Sequence, residues 1–321
     1  MSLTNTASDP TLQVRLTRIE YAALDTNLYV LRRPDGTPLP AAEPGAHIDV
    51  HLPDGLIRQY SLIHAVPHPD SYTIGVKRGA EGGGGSRYMH DSLRVGTRLQ
   101  ISTPRNNFPL NESAPHSVLI AGGIGVTPIW SMAERLSQLG HSWEMHYSCR
   151  SREDAALLEY LEKLSGVQYN FDDENGGRFL ELGKIIACAP AGTHFYCCGP
   201  KPMLAAFEAA AAVVPPHCVH VEYFTPKEEA ATAGGFTVEL ARSGKQYFIP
   251  AGKTILDTLR AAGLNLPASC ERGICGTCET RVIAGVPDHR DSILTAAERR
   301  ANETMMICCS GSFSDRLVLG L

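Results

Sequence analysis

Four cysteines constrain this chain more than any other feature. Cys270, Cys275 and Cys278 follow the spacing Cys-x4-Cys-x2-Cys, and Cys308 and Cys309 lie about thirty residues on. Close cysteines with one distant partner are the plant-type 2Fe–2S pattern, in which each tetrahedral iron takes two bridging sulfides and two protein thiolates. Gly273 and Gly276 suit such a loop, because small residues allow positive φ and let backbone N–H groups approach sulfur. A structural zinc site fits less well, since it favours paired Cys-x2-Cys units. In a strand only one of two neighbours faces a given side, so the spacing alone leaves Cys308 and Cys309 both open as the fourth ligand. A loop of this kind needs a small α+β module around it. The stretch 236–321 supplies one: FTVEL, QYFIP, the helical TILDTLRAAG, the cysteine loop and further short strands.

The remaining chain has room for two more domains, since it totals 321 residues. Residues 1–112 read as β. LQVRLTRIEYAALDTNLYVLRR and HIDVHLPDGLIRQYSLIH alternate apolar and polar positions, and Asp54-Gly55 between two runs is a hairpin signal. A small antiparallel barrel is expected there. From 113 to 227 the rhythm changes to strand–turn–helix units: SVLIAGG before TPIWSMAERLSQLG, WEMHYSC before AALLEYLEKL, and HFYCCGP before PMLAAFEAAAAVV. That alternation predicts a doubly wound parallel sheet. Residues 228–235 have a linker's composition.

Composition narrows the function. A net charge of −5 argues against nucleic acid as partner, and no apolar run is long enough to cross a bilayer. The N-terminus lacks a secretory pattern, so a cytoplasmic, monomeric protein is expected and a disulfide scaffold is not. Of the ten cysteines, Cys149, Cys188, Cys197, Cys198, Cys218 and Cys309 read mostly as small buried hydrophobes, and the twelve histidines as surface or packing residues.

Two further patterns carry chemistry. Arg58-Gln59-Tyr60-Ser61-Leu62 places an Arg able to pair with phosphate two residues before a Tyr able to stack on a ring, with a hydroxyl beside it. Val76-Lys77-Arg78 and the glycines from Gly82 to Gly85 before Ser86 form a plausible phosphate cradle. The turn 121–128, AGGIGVTP, and the turn Cys197-Cys198-Gly199-Pro200 each lie between a strand and a helix, where doubly wound sheets bind nucleotides.

In this order, Arg58–Leu62, Gly122–Pro128, Cys198–Pro200, Glu222-Tyr223-Phe224 and Cys270/275/278/308 resemble the phthalate dioxygenase reductase family, within the wider ferredoxin-NADP reductase superfamily. The resemblance covers nearly the whole chain. It implies an FMN-binding barrel, a NAD-binding domain and a C-terminal β-grasp ferredoxin domain that together serve a Rieske-type non-haem iron oxygenase. It implies flavin contacts from Arg58, Tyr60, Ser61 and Leu62, with Val76, Lys77, Gly84, Gly85 and Ser86 in neighbouring FMN segments. It puts Gly122, Gly123, Thr127, Pro128, Cys198 and Gly199 around the nicotinamide, and Phe224 next to the flavin. Ser61, Thr127, Cys198 and Phe224 would be the residues at the reacting atoms. Cys308 in MMICCSGS matches the family's fourth ligand, with Cys309 in place of an apolar Val and Gly311 in place of a frequent Arg.

FMN is favoured over FAD because no second aromatic-rich segment is present to hold an adenine. In NADPH-using relatives the residues after the Tyr147 strand hold the 2′-phosphate. Arg150, Ser151 and Arg152 lie there, but Glu153 and Asp154 beside them would repel that group, so NADH is expected. Flavin is the converter required between two-electron hydride and a one-electron cluster. The alternatives are a reductase for a haem-thiolate monooxygenase, the electron-transfer subunit of a larger flavoenzyme, and a non-catalytic 2Fe–2S carrier or sensor.

Overall fold

The computed structural model describes residues 11–79 and 84–321, so Gly82 and Gly83 of the expected phosphate cradle lie outside the described residues. The chain forms two compact units, residues 11–222 and 223–321.

The first unit begins with six antiparallel strands: β1 (Thr11–Ala23), β2 (Thr26–Arg32), β3 (His47–His51), β4 (Ile57–Ser61), β5 (Tyr72–Lys77) and β6 (Arg98–Ser102). Their order is β4-β3-β6-β1-β2-β5, and a bridge between Leu62 and Ile74 joins the two ends into a barrel. Alternation decides what faces inward. Val14 and Leu16 of β1, Ile48 and Val50 of β3, and Ile74 and Val76 of β5 bury one face of each strand in a common core. The β3–β4 reversal is made at Asp54 and Gly55, both with positive φ, as a tight hairpin requires. Helix α1 (Gly85–Asp91) follows β5, and Tyr29 donates a hydrogen bond from the barrel to the carbonyl of Met89.

The same unit continues into a five-stranded parallel sheet of β7 (Ser117–Gly122), β8 (Trp143–Cys149), β9 (Val167–Phe171), β10 (His194–Cys198) and β11 (Val219–Glu222). Its order is β11-β10-β7-β8-β9, which puts the reversal of winding between β7 and β10. Helices α2 (Val126–Leu139), α3 (Leu158–Leu161), α4 (Leu182–Cys188) and α5 (Lys201–Ala210) connect the strands. The segment AALLEYLEKL gives only one turn of helix. Ala155, Ala156 and Leu157 are buried instead, the carbonyl of Ala156 accepts the Tyr147 hydroxyl, and Leu157 has φ of 61°. A buried acceptor therefore overrides local helix propensity.

The second unit holds β12 (Phe236–Leu240), β13 (Gln246–Ile249), α6 (Ile255–Ala261), β14 (Glu279–Ala284), β15 (Pro287–Asp288), α7 (Ala296–Ala301), β16 (Thr304–Met306), β17 (Gly311–Ser312) and β18 (Arg316–Leu319). The main sheet runs β13-β12-β18-β14-β16, with β12 and β18 parallel at its centre. Helix α6 packs Ile255 and Leu259 against Val238, Leu317 and Leu319. Both helices start with capping boxes, Thr254 with Asp257 and Thr295 with Glu298. Residues 228–235, linker-like in composition, are tied to this unit. Arg290 pairs with Glu228, the Ala231 N–H donates to the Cys309 carbonyl, and the Thr232 carbonyl accepts from Gly252. Among the described residues no helix is long and apolar enough to cross a membrane.

Candidate active site and cluster loop

Two glycine turns meet at the reversal point of the parallel sheet. A Cβ on Gly122 would lie 2.6 Å from Pro200 Cδ and 3.2 Å from Gly199 Cα, so the turns after β7 and β10 touch. A Cβ on Gly125 would lie 2.2 Å from the Cys198 carbonyl oxygen, which makes glycine obligatory there for space. Gly123 is different: its surroundings are open, and its φ of 53° is what favours glycine. The carboxyl ends of β7 and β10 therefore present bare backbone, the requirement for close approach of a pyrophosphate. Thr127 is buried at the start of α2, with its hydroxyl donating to the Ile124 carbonyl, and Pro128 is buried beside it.

The barrel comes to the same place. A Cβ on Gly75 of β5 would lie 2.9 Å from Thr127 Cγ2. Next to Gly75 in β5, Val76 is a core residue whose carbonyl takes the His90 Nε2 hydrogen bond, and Lys77 Nζ lies 3.0 Å from Asp154 Oδ1 of the loop after β8. On β4, Arg58 and Tyr60 pair with Val50 and Ile48, whereas Ser61 pairs with His47. Tyr60 is pushed well above the ordinary phenol range by burial and stays neutral. Leu62 is part of the barrel core. The Arg58 chain crosses Gly85, where a Cβ would lie 2.6 Å from its Cγ, and Gly84 enters α1 with φ of 78°. Ser86 Oγ accepts the Gly79 N–H at 3.1 Å.

A flavin fits these residues by two tests. Among the described residues Ser61 Oγ is buried with no partner, an arrangement that costs free energy unless a ligand supplies one. Gly85 keeps bare backbone under the Arg58 side chain, where a phosphate needs approach.

Cys198 ends β10 fully buried, beside Glu222 at the end of β11, with Sγ 3.8 Å from Glu222 Oε2. Burial, then the Glu222 charge, raises the thiol well above its ordinary range. Burial also pushes the Glu222 carboxyl up to about 8, although the residue as a whole is only partly buried. Both groups hold their protons at neutral pH, so Cys198 presents an apolar, un-ionised sulfur rather than a nucleophile. The sequence offers Glu222 only as part of a terminal string. Its partnership with Cys198 depends on the β10–β11 register. Phe224 is half-buried in the second unit, two residues after this carboxylate.

In the second unit, Cys270, Cys275, Cys278 and Cys308 are all buried. Their sulfurs converge closely enough to share hydrogen bonds. Contact with Cys275 and Cys308 lowers the Cys270 thiol, and contact with Cys308 lowers that of Cys278. Cys275 is raised by its bond to Cys270, and Cys308 by its bonds to Cys270, Cys278 and Cys309. Backbone N–H groups of Arg272 and Ile274 point at Cys270 Sγ at 3.3 and 3.4 Å, as donors that stabilise thiolate charge. Gly273 and Gly276 take φ of 72° and 78°. Cys309 Sγ lies 3.8 Å from the Met306 carbonyl and under Gly273, where a Cβ would come within 2.5 Å. Among the described residues no three ligating side chains close on a single metal ion. A two-iron cluster takes two thiolates per iron and needs no such triplet. The four convergent sulfurs fit that group. Of the six other cysteines, Cys149, Cys197, Cys198, Cys218 and Cys309 are buried, as expected for most of them, and Cys188 is exposed.

Barrel, nucleotide sheet and cysteine loop define a flavin-dependent iron–sulfur reductase that draws on pyridine nucleotide. The chain belongs to the phthalate dioxygenase reductase family. The phenoxybenzoate dioxygenase subunit beta of Ectopseudomonas oleovorans is 52% identical over 97% of each chain. The tetrachlorobenzoquinone reductase of Sphingobium chlorophenolicum is 46% identical over 99% of this chain and 100% of its own. The vanillate O-demethylase oxidoreductase of a Pseudomonas species is 42% identical over 97% and 100%. Among solved structures, phthalate dioxygenase reductase, described as a modular structure for electron transfer from pyridine nucleotides to [2Fe-2S], is similar at 35% identity, 97% and 98% coverage and TM-score 0.73. An intact type IV self-sufficient cytochrome P450 monooxygenase matches at TM-score 0.88 and 37% identity, and this chain spans 43% of its length. The family defined as the 2Fe-2S iron-sulfur cluster binding domain matches residues 238–311.

Proposed function

We propose that this protein accepts hydride from NADH on FMN and passes single electrons through a 2Fe–2S cluster to a Rieske-type terminal oxygenase, in the cytoplasm and as a monomer. The contact between Gly75 and Thr127 carries the reading, because it brings the barrel's flavin-side strand to the nucleotide turn within one compact unit. When bound, the flavin converts a two-electron donor into a one-electron donor. The protein's share is placement. Arg58, with Gly84, Gly85 and Ser86, holds the phosphate, Tyr60 and Ser61 orient the ring, and Leu62, Val76 and Lys77 complete that wall. Gly122, Gly123, Pro128 and Gly199 receive the nucleotide, while Thr127 and Cys198 position the nicotinamide. Cys270, Cys275, Cys278 and Cys308 hold the cluster. No proton relay is required of these side chains, in keeping with the protonated Cys198 and Glu222.

A Rieske oxygenase is supported by relatives named for a dioxygenase and an O-demethylase. The second reading is a haem-thiolate partner, favoured by the likeness to the P450 chain. Protein purified anaerobically should be brown and should reduce ferricyanide or cytochrome c with NADH. A colourless, metal-free preparation overturns the proposal. Reconstitution with a purified Rieske oxygenase, against a purified haem-thiolate monooxygenase, distinguishes the partners.

A further inference from the structure

The loop after β8 carries Arg150, Ser151 and Arg152, the cations and hydroxyl that a 2′-phosphate on the adenosine ribose would need. Two of the three are already bonded to carboxylates. Ser151 Oγ lies 3.1 Å from Asp154 Oδ2, and the Asp154 N–H returns to Ser151 Oγ at 3.3 Å. Lys77 holds the other oxygen of the same carboxylate, so Asp154 is fixed from both sides. Arg152 is gripped bidentately by Glu174 from the loop after β9, at 2.6 and 3.2 Å, and its guanidinium lies 4.7 Å over the Phe171 ring. Glu153, the other acid of the loop, is exposed, and its backbone carbonyl accepts the Leu24 N–H.

We infer that Glu174 and Asp154 select the coenzyme, by occupying Arg152 and Ser151 and leaving a 2′-phosphate only Arg150 of the three. This rests on the reading above that the protein uses NADH and that the β8 loop faces the adenosine ribose. The Arg152–Glu174 pair is solvated, with side chains 54% and 48% exposed, so its bond is weak in itself. The selectivity comes from where the displaced charge stays. Glu174 remains tethered beside Arg152, well inside the ~8 Å screening length. A 2′-phosphate dianion therefore loses a bidentate partner and gains a negative neighbour at once. A ribose 2′-hydroxyl meets neither penalty.

The test uses flavin-loaded wild type and the variants Glu174→Gln, Glu174→Gln with Asp154→Asn, and Glu153→Gln. Calorimetric titration with 2′,5′-ADP and 5′-AMP reads binding, and KM for NADPH and NADH reads turnover. Glu174→Gln should tighten 2′,5′-ADP about tenfold, the equivalent of one charge-assisted contact, and leave 5′-AMP unchanged. The double variant should go further, the KM ratio should move the same way, and Glu153→Gln should move neither. An equal change for both nucleotides would mean that Glu174 only staples two loops together and overturns the inference. So does an unchanged affinity, or a Glu153→Gln effect of the same size. A wild type that oxidises NADPH in preference to NADH defeats the underlying reading. A wild type that prefers NADH while Glu174→Gln is silent defeats this inference alone.

Discussion

Cys308 and Cys309 are adjacent and chemically identical, yet they meet different surroundings. The first shares hydrogen bonds with the sulfurs of Cys270 and Cys278. The second lies against the Met306 carbonyl and fills the space left by the missing side chain of Gly273. Replacing a thiolate ligand removes an iron bond, whereas replacing a buried non-ligand sulfur with hydroxyl costs about 1–2 kcal/mol of stability. Cys308→Ser should therefore lose the cluster's visible absorption and its reduced-state paramagnetic signal, while NADH still bleaches the flavin. Cys309→Ser should keep both signals and melt slightly earlier. The reverse pattern would show that Cys309 is the ligand. Spacing carries the first three ligands because one loop supplies them. The fourth comes from the far end of the unit, where orientation is set by how the chain turns after β16.

At the level of elements, local chemistry was legible where a short segment decides its own shape. Asp54-Gly55 demands positive φ and makes the β3–β4 turn, and the threonine-led helices of the second unit carry their own caps. Long-range register was not. Nothing near Glu222 announces that it lies opposite Cys198, and nothing near Glu174 announces Arg152. The glycine turn after β7 falls between these cases. Its position is legible, but the reason for each glycine is not, since Gly123 answers a backbone angle and Gly125 a collision with the Cys198 carbonyl. Gly125→Ala should force the two turns apart, costing about 1–3 kcal/mol as overpacking does and raising KM for NADH about tenfold or more. Gly123→Ala should cost about 1 kcal/mol and act more mildly on KM. Melting temperature and steady-state kinetics on both variants check this. Equal behaviour of the two would mean the turns do not depend on close contact.

Across the first unit as a whole, a chain of neutral rings joins the segment leaving the barrel to the parallel sheet. Asn111 Oδ1 accepts from the Ser113 N–H and hydroxyl, which turns its Nδ2 toward His194 Nε2 at 3.2 Å. His194 Nε2 is then an acceptor, so Nδ1 carries the proton and donates to His220 Nε2 at 2.9 Å. His220 stacks on Tyr196 with ring centres 4.4 Å apart. A proton added at either acceptor nitrogen would set N–H against N–H. Burial, then His194 and His217, lowers His220 to about 4, and burial followed by His217 lowers His194. Between pH 6.5 and 4 the unfolded chain binds a proton at His220 that the folded chain refuses, so this contribution is complete above pH 6.5 and is lost as pH falls. Glu222 works in the opposite sense. Its carboxyl, at about 8 when folded, binds a proton that the unfolded chain releases above about 4.5, so it adds stability as pH falls. The two largely mask each other in wild type, and variants separate them. His220→Phe keeps the stack on Tyr196 and removes the titration. Relative to wild type it should gain on the order of 1 kcal/mol between pH 7.5 and 5, after discounting for partial exposure of the ring. Glu222→Gln should lose stability over the same interval. Urea midpoints at both pH values decide it, and profiles for His220→Phe that run parallel to wild type would show that the histidine chain titrates freely in the folded protein.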